Sequence, residues 1–498
     1  MPSFRVATRR SAVVDLGSNS VRLVVFEGEG RTPLTIFNEK AVLRLGRGLE
    51  ETGQLNAEGV ALAMTVMARY HAIARAMAAE PFEVLATSAV RDAKNGPAFV
   101  AALQARMPGV PILILPGEEE AALSAEGLFC GIPDADGILA DIGGGSLELV
   151  RLVLGHRGVA RTLRLGVIRL AERAGGDLNR AREIAEADLA GVPWLGEGNG
   201  RDLYLVGGAF RALARMYIAR TNYPLNIVHH LVVEGEAARE LAGDIAAASR
   251  KTLERMPGVP RRRAEDLSTA AVVLRRLLRA TGARRVVFSA NGLREGWYMR
   301  RLSQGVREED ALLTTGREYA RELGRDTRLP PRLIDWTRPL FRHETEAQKR
   351  LREAACWLSD IGSHDHPEYR AEQAFLRLLR QPGLAMDHPT RAFLALVLAL
   401  RYEAEPDAPF VTPILPLLSA EAITRAVILG CALRLAYTLC AGTPELLSGT
   451  ALQVNGSLRL QLRADRGVFA GESVTRRLER LGGAMGLSAI TEMDESLA

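Results

Sequence analysis

The chain has 498 residues, enough for about three domains at roughly 100–200 residues each. Hydrophobic residues make up 47% and charged residues 25%, which excludes a disordered chain; aromatics are only 5%, so the cores must rest on Leu, Val, Ile and Ala. The net charge of +5 is a mild excess that suits an anionic ligand, and no recognition-helix motif or aromatic stacking platform accompanies it, so no nucleic-acid partner is expected. Cys130, Cys356, Cys431 and Cys440 show no metal-binding spacing and read as reduced, buried thiols of a cytoplasmic protein. No run approaches the ~18 uncharged apolar residues of a membrane span, the best being Ala392 to Leu400 between Arg391 and Arg401. Arg5, Arg9 and Arg10 precede an apolar run that Asp15 interrupts, so neither a signal peptide nor a membrane partner is expected.

In chain order, Ala12 to Val14 reads as a strand, followed by Asp15-Leu16-Gly17-Ser18-Asn19-Ser20 and a second strand to Phe26, together a tight hairpin. Asn56 to Ala79 has helical periodicity, Glu83 to Ala86 is a short strand, Ala98 to Met107 a helix, Pro111 to Leu115 a strand and Glu118 to Phe129 a helix. Gly137 to Ala140 then leads into Asp141-Ile142-Gly143-Gly144-Gly145-Ser146 and a strand from Leu147 to Leu154. The two openings share one pattern, strand, Asp-apolar-Gly-x-x-Ser, strand, one domain length apart, which implies an internal duplication of two α/β domains. The second copy continues through the strand Leu203 to Val206, the turn Gly207-Gly208-Ala209, the helix Ala270 to Thr281, the strand Arg285 to Ser289 and a helix from Leu293 to Arg301. After Gln304 helical segments dominate: Ala311 to Leu323, Glu344 to Ser359, Tyr369 to Arg380, Pro389 to Arg401 and Ala420 to Thr438. Strands are expected within Thr450 to Asp465, and a helix around Ser473 to Leu481. The expected domains are 1–130, 131–304 and 305–498.

The repeated glycine loops carry the clearest chemistry. Glycine lets the backbone approach an anion closely, and successive N–H groups form a nest for phosphate oxygens. Gly17, Ser18, Asn19, Ser20 and Gly143, Gly144, Gly145, Ser146 are therefore candidate phosphate ligands, with Gly208 in the later strand-to-helix turn. Asp15 and Asp141, at the two strand ends, are hard oxygen donors suited to Mg²⁺. Glu148 lies two residues past Ser146 on the same strand face. Arg161, Arg164 and Arg169 form a basic set near the second loop, and Arg261-Arg262-Arg263 reads as a solvated basic face.

This constellation resembles the exopolyphosphatase and guanosine pentaphosphate phosphohydrolase family, within the actin-like ATPase, sugar kinase and heat-shock chaperone superfamily. The resemblance runs through the first ~300 residues, a span of about two domains. It rests on Asp15 to Ser20, on Thr87-Ser88-Ala89-Val90-Arg91-Asp92-Ala93, on Gly117-Glu118-Glu119-Glu120-Ala121, and on Asp141 to Ser146 with Glu148. Gly166-Val167-Ile168-Arg169-Leu170, Gly207-Gly208-Ala209 and Gly292-Leu293-Arg294-Glu295-Gly296 add to it. It implies two actin-like (ribonuclease-H-like) α/β domains around a cleft, a mainly helical C-terminal domain and a homodimer. It further implies a Mg²⁺-dependent hydrolase of phosphoanhydrides, with Glu120 as general base and Glu119 as its rival. Arg91 would clamp the transferring phosphoryl group, and Asp15, Asp141 and Glu148 would hold Mg²⁺. Inorganic polyphosphate is the first expected substrate and guanosine pentaphosphate the second. A non-catalytic alarmone-binding regulator and a sugar kinase are the other classes.

In that family the third domain resembles a histidine–aspartate metal phosphohydrolase. Here Ser359 stands before Asp360 where a histidine would be expected, and His364-Asp365-His366 reads as a loop beside a proline. His343, His364, His366 and His388 are read as surface histidines and helix caps rather than metal ligands.

Overall fold

The computed structural model describes residues 9–259, 264–381 and 385–494. Arg5 and the basic run Arg261-Arg262-Arg263 lie outside them. The chain forms two compact units, Met1–Glu309 and Asp310–Ala498.

The first unit contains two sheets. Strands β1 (Arg10–Leu16), β2 (Ser20–Glu27), β3 (Leu34–Val42), β4 (Ala79–Ala86) and β5 (Ile112–Ile114) form one, in the order β3-β2-β1-β4-β5. Strands β6 (Gly137–Ile142), β7 (Leu147–Val153), β8 (His156–Leu163), β9 (Asp202–Val206), β10 (Leu231–Glu234) and β11 (Arg285–Phe288) form the other, in the order β10-β11-β9-β6-β7-β8. In each sheet an antiparallel three-strand meander leads into parallel neighbours, β1 with β4 and β6 with β9. The second sheet thus repeats the first, with β10 added at its edge.

The apolar runs of β1 and β6 are unbroken because both faces of each strand are covered. Ala12, Val14 and Leu16 enter one core cluster and Val13 the opposite one; Ile138, Ala140 and Ile142 divide from Leu139 in the same way. The repeat also extends beyond the hairpins. Leu43-Arg44-Leu45-Gly46 and Leu163-Arg164-Leu165-Gly166 each follow a meander and close over the hairpin loop of their own sheet.

Two helices tie the halves together. Gly117–Gly131 lays Ala121, Ala125 and Leu128 on the second sheet, and Leu123 and Cys130 on the core beneath the first. Leu293–Arg300 packs beside it, and Leu293, Trp297, Tyr298 and Met299 join that first-sheet core. The residues after Gly292 therefore belong to the packing of the first half, although the sequence reads them as the close of the second. Trp297 also donates from Nε1 to Glu83 on β4 at 2.7 Å.

The second unit is mainly helical. Ala311–Leu323, Glu346–Leu358, Arg370–Leu379, His388–Arg401, Ala420–Cys440 and Glu472–Met485 are its longer helices, with a small sheet β12 (Thr450–Val454), β13 (Leu458–Leu462) and β14 (Ala489–Met493). Ala420–Cys440 is long and apolar enough to cross a membrane, but it carries Arg425 and Arg434 and is buried along much of its length. It packs against His388–Arg401 and Glu472–Met485 as a core helix of this unit. Asp360 is engaged by Arg325, which donates from Nε at 3.0 Å and from Nη2 at 2.7 Å. His364-Asp365-His366 lies in a turn, and Asp365 pairs with Arg377. His388 opens a helix capped by Asp387. Among the described residues no cluster of His, Cys, Asp or Glu that could hold a metal is found here. All four cysteines are free and buried.

Candidate active site

The glycine loops are the turns of the β1–β2 and β6–β7 hairpins. Each is closed by the same bond: Gly17 N–H donates to Ser20 O at 3.1 Å, and Gly143 N–H to Ser146 O at 2.9 Å. The loop carbonyls are then taken by the segment that follows each meander. Gly46 N–H donates to Ser18 O (2.9 Å) and Leu43 N–H to Asn19 O (3.0 Å); Val167 N–H donates to Gly143 O (3.1 Å) and Ile168 N–H to Gly144 O (2.9 Å). The two loops abut. A Cβ on Gly144 would come within 3.1 Å of Ser18 Cβ, and Ser18 Oγ lies 3.0 Å from Ser88 Oγ.

A cavity of about 370 Å³ lies along these loops. Gly17, Ser18, Asn19, Ser20, Gly143, Gly144 and Gly208 line it, as do Asp15, Asp141, Glu148 and Glu120. Three helix starts open on it: Glu120 in the first turn of Gly117–Gly131, Gly208 at the head of Gly208–Thr221, and Leu293 at the head of Leu293–Arg300. Helix N-termini present N–H groups and a positive dipole end to an anion. Gly207, at φ 105°, makes the turn into the second of these helices, and a Cβ there would strike Ile142 O at 2.3 Å.

Three of the expected site residues lie outside this cavity's lining. Gly145 and Ser146 do not line the cavity. Gly145 is pressed against the Ser88 and Ser18 hydroxyls, and Ser146, only 2% exposed, faces a neighbouring space. Arg91 is not in a loop but on the one-turn helix Ser88–Asp92, which is too short to show periodicity in sequence. Nor does Arg91 line the cavity: it approaches Glu120 from the far side, donating from Nη1 to Glu120 Oε2 at 3.0 Å and to Leu115 O at 2.8 Å. Of the two rival glutamates, Glu120 is buried at the cavity, whereas Glu119 is half exposed and paired with Arg300.

The cavity is lined by charges of both signs. Burial raises the carboxyl of Glu120 to about 7, with Arg91 opposing the shift and Asp141 and Asp15 adding to it. Glu148, 1% exposed, is pushed well above the ordinary carboxylate range by burial, then by repulsion from Glu120 and Asp141. Its Oε1 has no hydrogen-bond partner. Asp141 is also raised by burial, although it accepts a short hydrogen bond from Ser124 Oγ. Arg22, Lys40, Arg211, Arg215 and Arg294 also line it, and Arg211 and Arg294 act on Asp141 itself. Burial, then repulsion from Arg294, lowers Arg211 to about 10. Burial raises Asp15, while Arg294 (4.0 Å from its carboxylate) and Arg22 pull it back.

The sequence reading assigned no role to this cationic set. Arg22 is visible in retrospect as an inward position on β2, two residues past Ser20. Arg211 and Arg215, one helical turn apart, follow the Gly207-Gly208 turn, and Arg294 sits inside a motif already singled out.

The amino-acid sequence from 23 to 304 matches the model of the Ppx/GppA phosphatase family, and residues 312–490 match the C-terminal domain of exopolyphosphatases. The chain belongs to the Ppx/GppA phosphatase family. As a member of a phosphatase family it is a hydrolase. Its relatives include Exopolyphosphatase 2 of Mycobacterium tuberculosis, 28% identical over 303 residues that span 55% of this chain and 91% of that protein. Exopolyphosphatase 1 of Mycobacterium bovis is 29% identical over 305 residues, spanning 59% of this chain and 88% of that one. Among solved structures, an exopolyphosphatase from Cytophaga hutchinsonii superimposes with a TM-score of 0.53 at 21% identity, over 58% of this chain and 96% of its own. The Aquifex aeolicus Ppx/GppA protein does so with a TM-score of 0.50 at 22% identity, over 58% and 96%. The fold is the expected one: a duplicated actin-like α/β pair, with a mainly helical domain after it.

Proposed function

We propose that this chain is a Mg²⁺-dependent exopolyphosphatase that releases terminal orthophosphate from inorganic polyphosphate by in-line attack of a water. The observation that carries the reading is the charge lining the cavity, where a buried glutamate and five cationic side chains share one space. A phosphate chain carries about one negative charge per unit, so its length suits the cationic side chains while its terminal unit meets the loops and Glu120. Glu120 is poised as the base: a carboxylate held near 7 both exists ionised at neutral pH and accepts a proton readily. Arg91 orients it through the 3.0 Å ion pair. The N–H groups of the two hairpin turns and the helix starts receive charge as it spreads over the phosphoryl oxygens.

The residues fit Mg²⁺. Asp141 and Glu148 are cross-strand neighbours with hard oxygen donors, and Glu148 Oε1 is buried without a partner. Among the described residues no three such side chains gather around one point, so waters and phosphate oxygens would have to complete the shell of the ion. Asp141 and Glu148 would hold it, with Asp15 acting through water. When bound, Mg²⁺ supplies neutralisation of the phosphate oxygens beside Glu120. Among the residues lining the cavity there is no aromatic side chain on which a nucleobase could stack. This favours polyphosphate over guanosine pentaphosphate.

The test is phosphate release from long-chain polyphosphate and from guanosine pentaphosphate, with Mg²⁺ or EDTA, for the wild-type chain and Glu120→Ala. Release from polyphosphate that needs Mg²⁺ and Glu120 supports the reading. Release from neither substrate overturns it.

A further inference from the structure

The ion pair that holds Glu120 does not end at Arg91. Arg91 Nε donates to Asp92 Oδ1 at 3.3 Å, and Asp92 Oδ2 accepts from Arg169 Nη1 at 2.6 Å. Arg169 Nε lies 3.6 Å from Glu50, which also accepts from Arg164 Nη2 at 2.7 Å. Charges therefore alternate in file from the buried glutamate outward: Glu120, Arg91, Asp92, Arg169, Glu50, Arg164. The file joins the two halves of the first unit. Arg91 and Asp92 stand on the one-turn helix after β4, whereas Arg169 stands on the helix Val167–Arg173 after β8. The side chain of Arg169 is only 5% exposed, so its contact with Asp92 is little screened by solvent. The N–H of Arg169 also donates to Gly144 O at 3.1 Å, which fixes this residue on the second glycine loop.

We infer that Arg169 is a positioning residue for hydrolysis, which engages Asp92 and so leaves Arg91 to orient Glu120; that role rests on the reading of Glu120 as the base. Asp92 and Glu120 compete for one guanidinium. Arg169 holds Asp92 by the shorter bond, 2.6 Å against 3.3 Å from Arg91, while Arg91 reaches Glu120 at 3.0 Å. None of Arg91, Asp92 and Arg169 lines the first cavity, so the file acts on the base and not on the substrate. The charges that face Glu120 are Arg91 from the one-turn helix, Asp15 from β1, Asp141 from β6 and Glu148 from β7. Of these Arg91 alone favours the ionised carboxylate, so its share between Asp92 and Glu120 sets how readily the base ionises. Without the charge of Arg169, Asp92 draws Arg91 towards itself and Glu120 ionises at a higher pH. Without the charge of Asp92, Arg91 turns wholly to Glu120, which then ionises at a lower pH.

The experiment compares the full-length wild type with Arg169→Gln, Asp92→Asn and the double variant. Two readouts follow the base: the pH profile of kcat/KM for phosphate release from polyphosphate, and the titration of carboxyl-labelled glutamate by carbon-13 NMR. The Glu120 resonance is assigned by its loss in Glu120→Gln, and thermal unfolding checks the fold. Arg169→Gln should raise both midpoints by roughly half a pH unit or more. It should also lower kcat by about tenfold as the base loses its aim, with KM within about twofold. Asp92→Asn should lower the midpoints, and the double variant should follow Asp92→Asn, because Arg169 acts through that carboxylate. A strut between the halves and nothing more would lower the unfolding temperature and leave the midpoints in place. Unmoved midpoints, an effect confined to KM, or an upward shift by Arg169→Gln that persists beside Asp92→Asn overturns the proposal. Should Arg169→Gln fail to fold, Asp92→Asn decides alone, by a downward shift or an unchanged midpoint. If the Glu120 resonance moves as expected but the wild type releases no phosphate from polyphosphate, the hold of Arg169 on Glu120 stands and the exopolyphosphatase reading falls. Release that needs Glu120, with its resonance unmoved in the variants, gives the reverse.

Discussion

The hairpins around Asp15–Ser20 and Asp141–Ser146 share a strand order, a closing hydrogen bond and a following Leu-Arg-Leu-Gly segment, yet they differ in the residue across the strand from their aspartate. In the first, Asp15 is paired in register with Arg22; in the second, Asp141 is paired with Glu148. Directly opposite side chains in an antiparallel pair sit about 4.5–5.5 Å apart at Cβ, close enough for one to set the charge of the other. Arg22, with Arg294, therefore draws the Asp15 carboxyl back towards its ionised form, whereas burial, Glu120 and Asp141 all hold Glu148 away from its own. One backbone, used twice, sets an Asp–Arg pair across one hairpin and an Asp–Glu pair across the other. That difference gives the two halves of a duplicated anion cradle unlike charges.

The largest effect is expected at the proposed base. Glu120→Gln keeps the shape but removes the base, and kcat for phosphate release should fall by roughly 10²–10⁴. A loss below tenfold in initial-rate measurements would mean that another group takes the proton.

The hairpins can next be set against each other. Glu148→Gln should lower apparent Mg²⁺ affinity or activity about 10–100-fold, read from rates across a Mg²⁺ titration. Arg22→Gln should instead raise the KM for polyphosphate by about tenfold with less change in kcat, as for a lost charge-assisted contact. If both substitutions act on the same kinetic parameter, the two hairpins do not have separate roles.

The pH profile follows from Glu120. Its folded value is raised from 4.5 to about 7, so the basic form grows in as pH rises, and phosphate release should climb through neutrality. Below the midpoint the rate should drop about tenfold per pH unit. Arg91 opposes the shift, so Arg91→Gln should move the midpoint upward; a midpoint that stays put would remove Arg91 from contact with the base.

The smallest effect is on stability. A Cβ at Gly166 would lie 2.3 Å from the Ser146 nitrogen, whereas one at Gly46 would lie 3.0 Å from Ser18 Cβ. Overpacking against backbone costs about 1–3 kcal/mol, so Gly166→Ala should lower the unfolding temperature more than Gly46→Ala. Equal losses would mean that the two loops are equally tight.

Much of this was legible without coordinates. The repeated Asp-apolar-Gly-x-x-Ser pattern, the unbroken apolar strands and the helical texture after Gln304 are local signals. They were enough to imply a duplicated α/β pair and a helical domain, and to mark Asp15, Glu120, Asp141 and Glu148 as lining residues. The one-turn helix that bears Arg91 was not legible, because five residues cannot display a period. Nor was the packing of Leu293–Arg300 beneath the first sheet, since its apolar face says only that it is buried, not against what.

What the sequence determined by itself was the backbone plan: glycines where loops must approach an anion, and alternating or continuous apolar residues where strands are covered on one face or two. What only the tertiary structure decided was which side chains share a cavity. Arg22, Lys40, Arg211, Arg215 and Arg294 come from β2, β3 and two helix starts far apart in the chain, and Arg91 is turned to the far side of Glu120. The physical reason is range. Periodicity and turn chemistry act over a few residues, whereas burial and Coulomb fields, which shift Glu120 and Glu148 so far, exist only once distant segments exclude water together.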